Sequence, residues 1–353
     1  MTVKAKQNFS MQCPVFIQDH PCLTLAHGGG GRLSHRLLET IILPILMDSR
    51  DQLHDGYTMR LQAERQAFTT DSYVVDPIIF PGGNIGRLAV LGTVNDLAMC
   101  GARAEYMSVG LIAEEGLEMD TFVMILESMR EAADQAGVRI VTGDTKVVDR
   151  GKADRLFINT SGIGSVIHDR QIAPTSIEVG DLLIVSGDLG RHGIAIMSQR
   201  HGLQFESPIK SDCASLFPQV SALLHSNIKI HCLRDLTRGG LASVTHEIAT
   251  ASGCLLTLEE QSFPVTEEIA GACEILGLDP IHIACEGRFL AIVPADQSMT
   301  VLEILSNHSP GVAPACIGKV SERREKGTVI IRGMLGVDRP MVLPSGEQLP
   351  RIC

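Results

Sequence analysis

Tryptophan is absent from this 353-residue chain, and tyrosine occurs three times. Aromatic residues make up 4% of the total, too few for the stacking platforms that hold single-stranded nucleic acid. Positive charge is also short. Thirty Lys and Arg against 41 Asp and Glu leave a formal net charge of −11, with no basic run. Such a surface repels a phosphate backbone, so no nucleic-acid partner is expected. No apolar run approaches the roughly 18 residues needed to span a bilayer, and the N-terminus has no apolar signal-peptide core. No membrane association is expected. The ten cysteines include no Cys-x-x-Cys pair. Scattered thiols in a chain this long read as reduced, which makes a cytoplasmic location the expectation. Cys13, His20 and Cys22 fit no familiar metal-ligand spacing.

What is present is an ordinary globular balance, 44% hydrophobic and 20% charged, at a length that suits two domains. Residues 1–20 carry no period and read as an N-terminal extension. Leu23–Ala26 alternates, and Gly28–Gly31 follows. Leu33, Leu37, Leu38, Ile41 and Ile42 then recur at helical spacing, with Pro44 expected to kink or end the helix. Gln66–Val75 reads as a strand. Residues 85–100 and 122–136 read as helices stopped by Gly101 and Gly137. Strands are expected at 107–112, 138–141 and 156–163, with Gly143-Asp144-Thr145-Lys146 as a loop after the second. The pattern restarts after Pro174. Strands are expected near 181–186, 255–258, 288–293 and 328–332, and helices near 191–201, 240–252, 265–276 and 297–306. The parse is two α+β domains, 21–167 and 168–335, and a tail from 336 to 353. Pro344 and Pro350 exclude helix from that tail and Ser345-Gly346 loosens it, so it reads as a mobile arm with Cys353 at its tip.

Several residues sit where chemistry would need them. Four glycines before a helix let the backbone approach an anion, although the same residues also make a hinge. No Walker A pattern occurs. Asp71 lies within a β-branched strand, and Asn95-Asp96 interrupts an apolar helix. Asp144 follows a buried-looking strand, and Asp235 opens the glycine-rich turn Arg234–Gly240. Charge in apolar surroundings is costly unless paired or bound to a cation. Each acid alone reads as a cap or turn residue. Together they suit Mg²⁺ and phosphate, because Mg²⁺ takes a few carboxylates and completes its shell with phosphate and water. Lys146 can face a phosphate or a substrate proton. Glu286, in Ala284-Cys285-Glu286-Gly287, can act as a general base at a domain edge.

Thr70-Asp71-Ser72, Asn95-Asp96-Leu97-Ala98, Thr142–Val148 and Asp235–Gly240 together resemble the aminoimidazole-ribonucleotide synthetase (PurM-like) superfamily of ATP-using enzymes. Ala26–Gly31, Pro81–Gly86, Gly-Asp-Thr-Lys-Val-Val and the final Pro350-Arg351-Ile352-Cys353 are similar to the carbamoyl dehydratases of [NiFe]-hydrogenase maturation. The resemblance covers nearly the whole chain after about residue 20. It implies a PurM-like two-domain α+β architecture in which the N-terminal α/β domain binds ATP and shares its sheet in a homodimer. It implies that Cys353 receives a carbamoyl group from a carbamoyltransferase partner (HypF-like), and that ATP then drives dehydration of the thiocarbamate to a thiocyanate. The cyanide passes to iron on a scaffold complex (HypC–HypD-like). Carried onto this chain, Asp71, Asp96, Asp144 and Asp235 hold Mg²⁺ and phosphate. Gly28, Gly29, Gly30, Asn95 and Thr145 join them in holding ATP. Lys146 and Glu286 flank the thiocarbamate on Cys353. Cys285 stands where the family commonly has Asn. The competing readings are another superfamily activity, such as a selenophosphate synthetase or small-molecule kinase, and a non-catalytic carrier whose tail ferries a ligand.

Overall fold

The structure, a computed structural model, describes residues 14–48, 56–61, 63–203, 209–308, 313–344 and 349–353. Cys13, most of the anticipated extension and the Ser345-Gly346 joint lie outside the described residues.

Four strands form the N-terminal sheet: β1 (Gln66–Tyr73), β2 (Ala102–Glu114), β3 (Arg139–Val148) and β4 (Leu156–Val166). Their order is β1-β4-β2-β3, with β2 and β3 parallel and the other neighbours antiparallel. In β1, Ala67 and Tyr73 are buried while Phe68, Thr70 and Ser72 are exposed. Such alternation marks a sheet with one covered face. The cover is α1 (Ile85–Met99), on whose far side α2 (Met119–Ala136) packs. Asn84 caps α1 by accepting hydrogen bonds from the Gly86 and Arg87 amides at 2.9 and 3.1 Å. Helix α1 is apolar nearly all round because it is enclosed on every side. Its last turn, Ala98 and Met99, enters the core of the following domain. Gly92 lets it descend onto the sheet, since a Cβ there would stand 2.3 Å from the Tyr73 hydroxyl.

The C-terminal sheet has seven strands: β5 (Leu182–Val185), β6 (Cys232–Asp235), β7 (Cys254–Glu259), β8 (Phe289–Val293), β9 (Ala315–Arg323), β10 (Thr328–Arg332) and β11 (Asp338–Pro340). The order is β11-β10-β7-β9-β5-β8-β6, antiparallel except for β7 with β10. The helices are α3 (Arg191–Arg200), α4 (Phe217–His225), α5 (Gly240–Ser252), α6 (Glu267–Leu276) and α7 (Ser298–His308). The register brings the end of β5, the end of β6 and the start of β8 to one edge of the sheet, where β6 meets α1. Among the described residues no helix is long and apolar enough to cross a membrane.

The expected elements are present with three corrections. Residues 143–146 are not a loop: β3 runs on to Val148 because the long β2 offers pairing partners as far as Glu114. Leu25–Gly28 is a helical turn, not a strand, capped where the Thr24 amide donates to His27 Nδ1 at 3.0 Å. Pro44 does not end its helix, which continues to Leu46 through a π turn at Leu38–Ile42; the proline stands in the first turn after it. Strand β9 gave no clear alternation because register shifts between Cys316 and Gly318, and between Val320 and Glu322, break its period. Gly92→Ala should overpack the α1–β1 contact at a cost of about 1–3 kcal/mol. A melting temperature lowered by several degrees is the expected outcome, and an unchanged one would show that Tyr73 yields freely.

Candidate active site

Strand alternation puts Asp71 on the covered face of β1 beside Thr69, and that face meets α1. Asp96 of α1 answers it, accepting a hydrogen bond from Thr69 Oγ1 at 2.8 Å. Asp235 ends β6 and is buried. Burial, then the charge of Asp96, pushes its carboxyl up to about 7. Burial also raises Asp96, with Asp71 adding to the shift. Beyond Asp235, at the start of β8, lies Glu286. It is 3% exposed and held well above the usual carboxylate range, first by burial and then by Asp235, Asp212 and Asp71. Its Oε1 has no hydrogen-bond partner.

The chain's last five described residues complete this group. Ile352 is buried in the N-terminal core, with Leu349 packed against it. Arg200, at the end of α3, donates to the Pro350 carbonyl at 2.6 Å and also to those of Arg351 and Asp76. His192, in the first turn of α3, holds the Ile352 carbonyl at 2.9 Å. The Arg351 guanidinium reaches Asp154 at 3.0 Å. So anchored, the Cys353 thiol donates to the Glu286 carboxyl. Burial and that carboxyl push the thiol well up, while Arg238 pulls the other way. The tail is therefore seen docked, its thiol near Glu286, Arg238 and Asp71.

Asn95 has a different task from the nucleotide contact expected of it. Its Nδ2 donates to the carbonyls of Ala214 and Glu286, at 3.0 and 3.2 Å, and its Oδ1 accepts from the Leu216 amide at 2.8 Å. The side chain is spent on main chain, bolting α1 to the segment 211–216 and to Glu286. Cys285 points away from the thiol: its sulfur accepts from the Gly190 amide at 3.1 Å, inside the C-terminal core.

The remaining predicted residues form a second group. Asp144 and Lys146 stand two apart on β3, hence on one face. They pair at 2.8 Å with both side chains mostly exposed, and Lys146 draws the Asp144 carboxyl below its usual range. The register row Ser72–Asn159–Gly110–Asp144 places them on the uncovered face, three strands from Asp71. At about 4.8 Å per strand that is roughly 14 Å. Gly28 lies against the same strand, where a Cβ would come within 2.3 Å of the Val147 nitrogen. The Gly30 amide is taken by Ser34 Oγ at 2.9 Å. On the same side of β3, a cleft of about 140 Å³ is lined by Leu38, Ile42 and Leu46 and by Thr142–Thr145.

A shell of Asp71, Asp96, Asp144 and Asp235 is thus not assembled within one chain. The first, second and fourth feel one another's charge. Yet no three His, Cys, Asp or Glu side chains among the described residues close on a common centre. The donor set still suits Mg²⁺, being hard carboxylate oxygens with surplus negative charge and no shell of their own, for phosphate oxygens to complete. His192, Arg200, Ser211 and Arg238 were missed by sequence reasoning. Only Arg238, inside the quoted Asp235–Gly240 stretch, carried a signal.

The chain matches AIR synthase related protein, N-terminal domain, over residues 53–166, and AIR synthase related protein, C-terminal domain, over residues 178–331. It is 44% identical to carbamoyl dehydratase HypE of Escherichia coli (strain K12), over 94% of this chain and 99% of that one. Identity is also 44% to carbamoyl dehydratase HypE of Rhodobacter capsulatus, over 94% and 98%. A solved structure of the hydrogenase maturation protein HypE in complex with ATP superposes with a TM-score of 0.88 at 44% identity, covering 94% of this chain and all of that one. A HypE–HypF complex superposes with a TM-score of 0.75 at 42% identity, over 79% and 90%. A thiamine monophosphate kinase at 18% identity and TM-score 0.55 shares the fold alone. With both AIR synthase related domains matched and 44% identity over almost the whole length of these relatives, the chain belongs to the HypE family of carbamoyl dehydratases, enzymes of hydrogenase maturation.

Proposed function

We propose that this chain uses ATP to dehydrate an S-carbamoyl group on its own Cys353, and that the resulting cyanide serves [NiFe]-hydrogenase assembly. The observation that carries this reading is the docked tail, which sets the terminal sulfur on Glu286, a carboxyl that feels Asp235 and Asp71. The step balances. The carbamoyl oxygen attacks the γ-phosphorus of ATP, releasing ADP. One N–H proton passes to ionised Glu286 and the other leaves with the phosphate, as the C–O bond breaks and carries phosphate away. The sulfur is left bearing C≡N. Positioning and charge neutralisation dominate phosphoryl transfers of this kind. Asp71, Asp96 and Asp235 would hold Mg²⁺, which supplies that neutralisation when bound. The glycine loop and the apolar cleft beside Thr145 suit the nucleotide. A charged Glu286 is a strong base because its surroundings disfavour the charge.

The second group of residues supports a homodimer. The uncovered face of the N-terminal sheet exposes Phe68 to 70% and Ile112 to 42% among polar neighbours, two apolar side chains that a second copy would bury. In that assembly the partner subunit supplies the Asp144–Lys146 edge to the acids and thiol of this one. The carbamoyl group arrives from a HypF-like carbamoyltransferase, the reading that the related HypE–HypF complex supports. A HypC–HypD-like scaffold receives the cyanide. Both exchanges need Cys353 released from its dock, in keeping with a cytoplasmic, multi-partner enzyme.

Intact mass tests the chemistry. Loading by the carbamoyltransferase should add about 43 Da, falling to a gain of about 25 Da once ATP is supplied. Cys353→Ala should show neither gain, and Asp96→Asn or Glu286→Gln should stop at the first. A carrier would complete cyanide delivery in Asp96→Asn, an outcome that removes the enzymatic reading. Mixing inactive Asp96→Asn with inactive Lys146→Ala tests the shared site. Statistical exchange should restore about a quarter of wild-type dehydration, since half the dimers then hold one intact site. No recovery would mean that Lys146 acts within its own chain.

A further inference from the structure

We infer that His192 and Ser211 are positioning residues that couple docking of the tail to the placement of Glu286, an inference that deepens the dehydratase reading above. The chain of contacts is short. A main-chain carbonyl can only accept, so the 2.9 Å contact with Ile352 requires the proton on His192 Nε2. His192 is fully buried and burial holds its ring below the ordinary histidine range, so the ring is neutral and Nδ1 accepts from the Ser211 hydroxyl at 2.8 Å. Ser211 Oγ in turn accepts from the Cys213 amide at 3.1 Å. The same strand of chain holds the base: Asp212 Oδ1 accepts from the Glu286 amide at 3.1 Å. Ser211 is pinned to the other domain through its own amide, which donates to the Pro81 carbonyl at 2.8 Å.

The segment 211–213 therefore touches both reacting parties, the tail through His192 and the base through Asp212. Every polar atom of the His192 side chain is used, and the edge-on Phe80 ring at 5.5 Å blocks rotation. Recognition through carbonyls at 350, 351 and 352 leaves the sulfur free to carry either a hydrogen or a carbamoyl group. His192 fixes the last main-chain atom group before the reacting residue, which is why its loss should fall on chemistry.

The test uses the full-length protein, loaded with carbamoyl on Cys353 and mixed with ATP in a single turnover. In His192→Gln the side-chain amide nitrogen falls where Nε2 stood, while in His192→Asn it falls short. The expected result is dehydration slowed at least about tenfold in His192→Asn, the loss of one hydrogen bond plus misplacement, and slowed less in His192→Gln, which keeps the bond to the tail and loses the one to Ser211. Carbamoyl loading, which needs the tail free, should be no slower in either. Alkylation of unloaded Cys353 by iodoacetamide gives a readout independent of dehydration: slow in wild type and His192→Gln, faster in His192→Asn. Equal alkylation and equal dehydration in all three proteins would overturn the inference. Wild type that never loses water would refute the dehydratase reading instead, and alkylation would still decide the role of His192.

Discussion

Glu286 has to be kept as a carboxyl group inside protein, with Asp71, Asp212 and Asp235 close enough to oppose its ionisation. A lone buried carboxylate is costly, so its surroundings must hold it rigidly and offer it something to act on. The main chain on both sides is held, by Asp212 at the amide and by Asn95 at the carbonyl. Oε1 is left without a partner, and the Cys353 thiol is what the group receives. The placement of α1, the route of residues 211–216 and the docking groove on α3 all follow from that requirement.

The N-terminal sheet answers a different need. It divides the acids by face and by edge: Asp71 turns in toward α1 and Asp235, while Asp144 and Lys146 look out from the uncovered side beside the glycine loop. Strand alternation keeps the two groups of residues apart within one chain.

Much of this was legible in advance. The covered strand 66–73, the Asn84-capped helix and the Gly137 stop all announced themselves through local rules of period and capping. Strands with register shifts, such as β9, did not, because a bulge destroys the alternation by which a strand is recognised. Asn95 was noticed as a polar side chain in an apolar helix, and the fold gives it main-chain partners. Its amide serves carbonyls more than a hundred residues away, which no local pattern encodes.

The sequence by itself determined the two-domain fold class, and it singled out the acids, the glycine loop and the terminal cysteine as candidates. These depend on residue type and short-range spacing. Only the tertiary structure decided that the tail rests docked, that α3 is its cradle and that Asp144 stands across the sheet from Asp71. It also turned Cys285 away from the reacting sulfur. The physical reason is that hydrogen bonds to main-chain carbonyls carry no sequence signature, and the side a side chain faces is set by strand register. Cys353 began as a free thiol on a loose arm, and folding gives it Glu286 as a partner.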